Sequence, residues 1–218
     1  GKATLRIHPA NGGLTSAYPF HEPSVRFLGK ERWLEPELGR EDIDLVSLDS
    51  LQLLPPIDVL KMDLQGGERD VLIGGRRKLS NAVAVITEVR FHRIYEGEPL
   101  WADVDQQLGK QGFVLHKLLF TKSVTLPSRA AKKFGKRRAA NQLLDGDAVY
   151  IRRLDDPETV TTDQLKHLAI CADAIFQSFD LVAHVLDILA ARGVVPQAAA
   201  NDYVDLMPER LLAETENA

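Results

Sequence analysis

Lys61, Asp63, Glu68 and Glu88 are the residues whose types and spacing point to chemistry. Lys61 and Asp63 lie two apart in the run Ile57-Asp58-Val59-Leu60-Lys61-Met62-Asp63-Leu64. Residues two apart in a strand share a face, so both side chains point the same way. A second apolar run, Val83 to Val89, holds Glu88 at the matching terminal place. If the two runs are neighbouring strands, Asp63 and Glu88 converge at one edge of the sheet. Two carboxylates so placed bind a divalent cation or raise one another's pKa toward general-base duty. Lys61 then moderates their repulsion or holds an anionic group. The plainer alternative is a Lys61–Asp63 ion pair with a structural role alone.

Other polar residues give weaker signals. Glu68 opens a helix, where an acid serves as dipole partner or cap as readily as ligand. His92, flanked by Arg90 and Arg93 after Glu88, reads as a cluster that steers an anionic substrate or as a solvated turn. Asn11 and Ser16 belong to a glycine-containing loop whose plain job is turn formation. Cys171 falls on the apolar face of a helix and reads as a packing residue, with no spacing that suggests zinc. The chain has no G-x-G-x-x-G, no G-x-x-x-x-G-K-[ST] and no G-x-S-x-G, hence no phosphate-cradling loop and no nucleophile elbow of those kinds.

The elements that must position these residues follow from pattern. Ala3 to His8 reads as a strand, and Pro9 to Pro23 as a loop containing Asn11-Gly12-Gly13. Ile43 to Leu48 is a further strand. Ile57 to Leu64 is so continuously apolar that it reads as a central strand covered on both faces. Gln65-Gly66-Gly67 makes a turn, and Glu68 to Leu79 a helix with acids in its first turn and bases in its last. Val83 to Val89 then completes a βαβ unit with two parallel strands. Leu100, Val104 and Leu108 mark another helix and Phe113 to Phe120 another strand. A long polar connection, 123 to 146, precedes a last strand at Ala148 to Arg153. From Asp163 the period becomes helical: Leu165, Leu168, Ala169, Ala172, Ile175, Phe176 and Phe179 trace one face, with Thr161 or Thr162 as cap. A second helix runs from Leu181 to Ala191 and stops at Gly193, and a weaker third follows. The division expected is an α/β domain over 1–155 and a helical tail over 156–218.

Bulk properties narrow the function classes. The 218 residues are 44% hydrophobic and 27% charged, ordinary globular values. A net charge of −4 gives no general attraction to nucleic acid or anionic lipid. The basic run from Arg129 through Lys132 and Lys133 to Arg138 is the local exception. It reads as a solvated lid; nucleic-acid binding would need interleaved aromatics, and Phe134 stands alone. Contact with a phosphorylated or lipid-linked substrate is a further reading. A single cysteine fits a reducing, cytoplasmic setting. No segment reaches the roughly 20 apolar residues of a membrane span, and no secretory signal is visible. The chain starts with Gly1 already in a strand pattern, which reads as a piece of a longer protein.

Val59-Leu60-Lys61-Met62-Asp63-Leu64-Gln65-Gly66-Gly67-Glu68, followed by Val71-Leu72 and Gly74, resembles the signature segment of the FkbM-type S-adenosylmethionine-dependent methyltransferases. That segment runs Lys-Ile-Asp-(Val/Thr)-Glu-Gly-x-Glu, then Val-Leu and a Gly. Ser47-Leu48-Asp49-Ser50-Leu51 resembles the family's upstream Thr-Leu-Asp segment, and Ile86-Thr87-Glu88-Val89 its downstream strand ending in Glu. Asn11 to Ser16 resembles the loop that precedes both, and Gly112-Phe113-Val114-Leu115 the later Gly-aromatic strand. The ordered set covers roughly residues 3 to 153 and is more specific than any one motif.

The resemblance implies a Rossmann-like methyltransferase sheet and methyl transfer from S-adenosylmethionine to a hydroxyl of a sugar or natural product. By that analogy Asp63, Lys61 and Glu88 are the catalytic candidates, with Asp63 leading. Glu68, Asn11, Ser16 and His92 are the candidates for contact with a small-molecule or glycan acceptor, and no metal is called for. Two departures stand out. Gln65 replaces the family's usual Glu. The family's first strands, with their glycine-rich loop and acidic ribose-binding residue, have no counterpart before Ala3, so the chain resembles the carboxyl-terminal half of such an enzyme with an incomplete cofactor site. Two functions follow: an O-methyltransferase of which this is the acceptor-side half, or a binding and assembly module derived from one. The open sheet edge expected of such a half favours self-association or docking to another domain.

Overall fold

Most of the apolar periodicity resolves into the expected elements, but the strand carrying Lys61 lies at the edge of its sheet. The computed structural model describes residues 1–9, 12–135 and 139–212 and divides into two units, Gly1–Ile151 and Arg152–Ala218. In the first, β1 (Lys2–Ile7) is followed by α1 (Glu22–Phe27), β2 (Gly39–Asp44), β3 (Val59–Met62), α2 (Glu68–Gly74), β4 (Ala84–Arg90), α3 (Trp101–Gly109), β5 (Phe113–Val124) and β6 (Gln142–Arg152). β1 and β2 form an antiparallel pair, and the remaining strands a sheet of order β3-β4-β6-β5. β3 and β4 are parallel, joined through α2, while β4 and β6 are antiparallel. The result is an α/β unit with a mixed sheet.

β4 is the strand buried on both faces: Ala84, Val85, Ile86 and Val89 are all in the core. Met62, Leu72, Leu79, Leu108, Phe113 and Tyr150 join Val85 and Val89 in one cluster that closes the helices α2 and α3 over the sheet. Each such side chain contributes about 1.5–3 kcal/mol when withdrawn from water. A second cluster, Leu28, Ile94, Tyr95, Val124 and Leu144, receives Leu14, Tyr18 and Phe20 from the long loop and Trp33 from a 3₁₀ turn after α1.

Several expectations are corrected. β3 is not a central strand: its Val59 and Leu60 are half-buried, Lys61 is exposed and Leu64 beyond it is 46% exposed. Its apolar run marks a strand with one partner among the described residues. The strand expected at Ile43 to Leu48 runs instead over Gly39–Asp44, in register with β1 from Lys2↔Asp44 to Ile7↔Gly39. Its charges face solvent and pair across the ladder, as Thr4 Oγ1 does in donating to Asp42 at 2.8 Å. Leu48–Ser50 is a short 3₁₀ turn, where Asp49 accepts from the amides of Arg77 (3.1 Å) and Lys78 (2.9 Å). The helix expected to reach Leu79 ends at Gly74: the backbone leaves helical geometry at Gly75, which passes so close to Leu48 that an added Cβ would lie 2.9 Å from its Cδ1. The last strand begins six residues earlier than Ala148, at Gln142, because Asp145 is neutralised inside the sheet by Arg90.

In the second unit, α4 (Thr162–Ala174), α5 (Phe179–Ala191) and α6 (Ala199–Asp205) follow one another. Thr161 and Gln164 form a reciprocal capping box, with contacts of 3.2 and 2.9 Å. Leu165, Leu168, Ala172 and Phe176 are buried as the pattern requires, whereas Ile175 is exposed. Among the described residues no helix is long and apolar enough to cross a membrane.

Candidate active site

The site is built by one turn. After β3 the backbone passes through positive φ at Gln65 (53°) and Gly66 (111°), then enters α2 at Glu68. Gly66 is required twice over. Its φ disfavours any side chain, and a Cβ there would sit 3.1 Å from the Tyr18 ring and 3.4 Å from Glu98 Cβ. Glu68, buried at the first turn of α2, folds back over the same turn: Oε1 accepts from the Leu64 amide at 2.8 Å and Oε2 from the Gly66 amide at 3.0 Å. Ser16 holds the other side, its hydroxyl donating to the Gln65 carbonyl at 2.6 Å and accepting from the Tyr18 amide at 3.0 Å.

Parallel register pairs Met62 with Thr87, so the next residues of the two chains are Asp63 and Glu88. Carboxylate oxygens of Asp63, Glu68 and Glu88 lie within 4.8 Å of one another. That is metal-ligand spacing, yet the space between two of them already holds a neutral donor. Gln65 Nε2 donates to Asp63 Oδ1 at 2.8 Å and to Glu88 Oε2 at 2.9 Å. Its other end is held as well: Gln65 Oε1 accepts from Tyr95 OH at 3.2 Å and Arg90 Nη2 at 3.3 Å.

Behind Glu88 lies a buried ionic network. Arg90, 5% exposed, reaches Glu88 and Asp145 at 2.8 Å each and Glu98 at 3.4 Å. Glu98 in turn accepts from the amides of Ile94 and Tyr95. Burial pushes the Glu88 carboxyl up to about 7, against the pull of Arg90 and with the help of Asp63, Asp145 and Glu68. Burial likewise raises the Tyr95 phenol, so it stays protonated and donates to Gln65.

The structure thus gathers Asp63, Glu68 and Glu88 and places Ser16 under their turn. Lys61 points elsewhere: it pairs with Asp147 at 3.6 Å and is 58% exposed, so no Lys61–Asp63 pair forms. His92 stacks on Phe27, ring centres 5.3 Å apart, and burial with the neighbouring His21 lowers its pKa. Asn11 lies outside the described residues. Sequence reasoning missed the bridging role of Gln65 and the parts played by Tyr95, Glu98 and Asp145. It also read Arg90 as an anion-steering loop residue, whereas Arg90 ends β4 and is buried among three acids. The available signal was spacing: Arg90 is two residues from Glu88 and shares its face.

Residues 2–115, which include this whole turn and β4, match the methyltransferase FkbM domain family. The chain is also similar to the 2-O-methyltransferase NoeI of Sinorhizobium fredii (strain NBRC 101917 / NGR234), 31% identical over 109 residues. That alignment covers 46% of this chain and 44% of the relative, so the chain spans less than half the length of the curated protein it matches. No solved structure gives a significant match.

Proposed function

This chain belongs to the FkbM methyltransferase family, and from that we propose that it serves S-adenosylmethionine-dependent methyl transfer to a hydroxyl of a sugar or natural product, with Glu88 receiving the hydroxyl proton. The observation that carries the reading is a carboxyl group poised at about 7, held between Arg90 and Gln65 beside the exposed Asp63. A general base is most effective with a pKa near the working pH. Asp63, open to solvent, would accept a hydrogen bond from the acceptor and orient it. Glu68 and Ser16 would keep the turn that carries Asp63 in place. Lys61 stands further along the exposed face, where it would meet an anionic part of the acceptor.

S-adenosylmethionine would supply the electrophilic methyl group. A cavity of about 440 Å³ beside the turn is lined by Leu5, Ile43, Leu64 and Val71, with Tyr18, Ser47 and Asp70 as polar side chains. Apolar walls and one carboxylate fit a flat base and a hydroxylated ring, but they do not fit the charged amino-acid end of the cofactor. That mismatch supports the reading that this chain carries only part of the cofactor site, and we draw no step through it. At the acceptor, the hydroxyl proton passes to Glu88 and leaves the oxygen nucleophilic.

Methyl transfer to sugar acceptors, followed against pH, tests the reading. Glu88→Gln should lower the rate about 10²-fold or more and remove a rise in rate near neutral pH. An unchanged rate and pH profile in that variant would overturn the role. The second reading, a non-catalytic binding or assembly module, is favoured by Gln65, whose amide satisfies both carboxylates that a catalyst would leave free. Calorimetric titration with S-adenosylmethionine separates the two: micromolar binding by this chain favours the enzyme, and no binding with no transfer favours the module.

A further inference from the structure

We propose that a cavity lined by His8, Phe20 and Trp33 is a carbohydrate subsite, which holds a neutral pyranose residue of the acceptor away from the hydroxyl that is methylated. The inference rests on the sugar-acceptor reading above for what that residue belongs to, and on the cavity alone for its binding. The cavity measures about 500 Å³, within the range of small-molecule sites. It lies among the end of β1, the loop before α1, the 3₁₀ turn Glu31–Leu34 and the stretch that leads into β2. Among the described residues, none from the turn that carries Asp63 lines it.

The first ground is ring surface. Phe20 and Trp33 are half-buried and close to parallel, with ring centres 6.4 Å apart at 24°. Phe20 stacks at 5.0 Å on the buried Tyr95, and His8 meets it at 84°, 5.6 Å away. His8 also fixes the 3₁₀ turn: its Nε2 lies 3.1 Å from the Trp33 carbonyl, which can only accept, so that nitrogen carries the proton. Lys30 stands 5.9 Å from the Trp33 ring centre without lining the cavity. The aromatic wall is thus supported from behind. Its open surface takes the C–H face of a sugar ring, which gains by leaving water.

The second ground is the polar rim. Glu37 accepts from Arg40 Nε at 2.5 Å and from Arg6 Nη1 at 2.9 Å. The hydrogen bond from Arg40 is the main cause that holds the Glu37 carboxyl below its usual range, so it stays an acceptor. Each of its oxygens keeps a further lone pair. Among the described residues, the Nη groups of Arg40 and the exposed Glu35 carboxylate have no hydrogen-bond partner. Planar carboxylate and guanidinium groups make paired hydrogen bonds, which suit adjacent hydroxyls of a sugar. Glu35 and Glu37 are matched by Arg40 and by Arg6 behind it, so the cavity selects hydroxyls rather than an ion. The cavity also neighbours the site. Phe20 lies on Tyr95, whose hydroxyl donates to Gln65 at 3.2 Å, and Gln65 bridges Asp63 and Glu88. Two rings separate the cavity from Gln65, so the sugar it holds is a further residue of an oligosaccharide and not the methylated one.

Saturation-transfer NMR of the 218-residue chain with maltotriose, cellotriose and mannotriose tests the subsite without S-adenosylmethionine. The wild type should pass magnetisation to at least one of them at millimolar concentration, most strongly to the C–H protons of one ring face. Trp33→Ala should weaken that binding about tenfold or more, whereas Trp33→Phe, which keeps a ring, should retain most of it. Glu35→Ala, at an exposed position with no partner to lose, should weaken it about threefold with the fold intact, and it reads the cavity separately from any unfolding by Trp33→Ala. In methyl transfer to an oligosaccharide, both alanine variants should raise KM by similar factors rather than lower kcat. No magnetisation transfer to any of the three sugars, or binding undiminished in both alanine variants, would overturn the subsite. Sugar binding by a chain that never transfers methyl would keep the subsite and sink the enzyme reading. Methyl transfer with a KM that neither variant changes would do the reverse.

Discussion

Gln65 sets the chemistry available to its neighbours. A glutamate there would add a fourth carboxylate to a site already crowded by Asp63, Glu68 and Glu88. An amide instead gives two donors to Asp63 and Glu88 and one acceptor to Tyr95 and Arg90. The cost of burial then falls on Glu88. Its carboxyl, raised from 4.5 to about 7, is protonated in the folded protein at a pH where the unfolded chain has lost the proton. A raised pKa contributes stability that is fully present below the unfolded value and is lost as pH rises through the folded value. Melting temperatures of the wild type should therefore fall relative to Glu88→Gln as pH rises from about 4.5 to about 7, then run parallel above it. Parallel curves across that window would show that Glu88 titrates normally. Arg90 moderates the effect, and its loss would take the buried cation from Glu88, Glu98 and Asp145 at once, at about 3–5 kcal/mol for a broken buried pair.

At the scale of elements, the strand β3, its turn and α2 form one device for holding an acid in place. Gly66 is the narrow point, with φ of 111° and the Tyr18 ring 3.1 Å from any added Cβ. Gly66→Ala should destabilise the fold by about 1–3 kcal/mol through backbone strain and displacement of Tyr18. Chemical denaturation would read this as a lower midpoint at unchanged slope. Full stability in that variant would mean that the turn relaxes freely. This device was legible in the sequence because its parts are local: a nearly continuous apolar run, paired glycines, then an acid at a helix start. Glu88 was legible because it closes the next apolar run. What was not legible depends on partners far along the chain. The apolar run Ile57 to Leu64 looks the same whether a strand has one neighbour or two, so the edge position of β3 was hidden. Asp145 reads as loop until Arg90, 55 residues earlier, is seen to neutralise it within β6. Gly39–Asp44 is mostly charged and gains its strand character only from β1.

At the scale of the whole molecule, unpaired edges and apolar surface decide how copies of the chain meet. β3 has β4 on one side and, among the described residues, no strand on the other. Leu64 at its end is 46% exposed, and across the apolar cavity Leu45 and Val46 are 47% and 68% exposed. An open strand edge beside exposed aliphatic side chains is a template for pairing with another strand. The edge carries Lys61, whose charge opposes pairing with an identical edge, but its tie to Asp147 partly neutralises it. The aliphatic cavity therefore wins, and the isolated chain should self-associate with rising concentration. Light scattering should show a mass above 24.2 kDa that increases with protein concentration. Val46→Lys, which places charge on the most exposed of these side chains, should return the mass toward the monomer without loss of helix signal. A wild-type chain that stays monomeric at every concentration would mean that β3 is protected by its own charge and that the cavity is not an interface between copies.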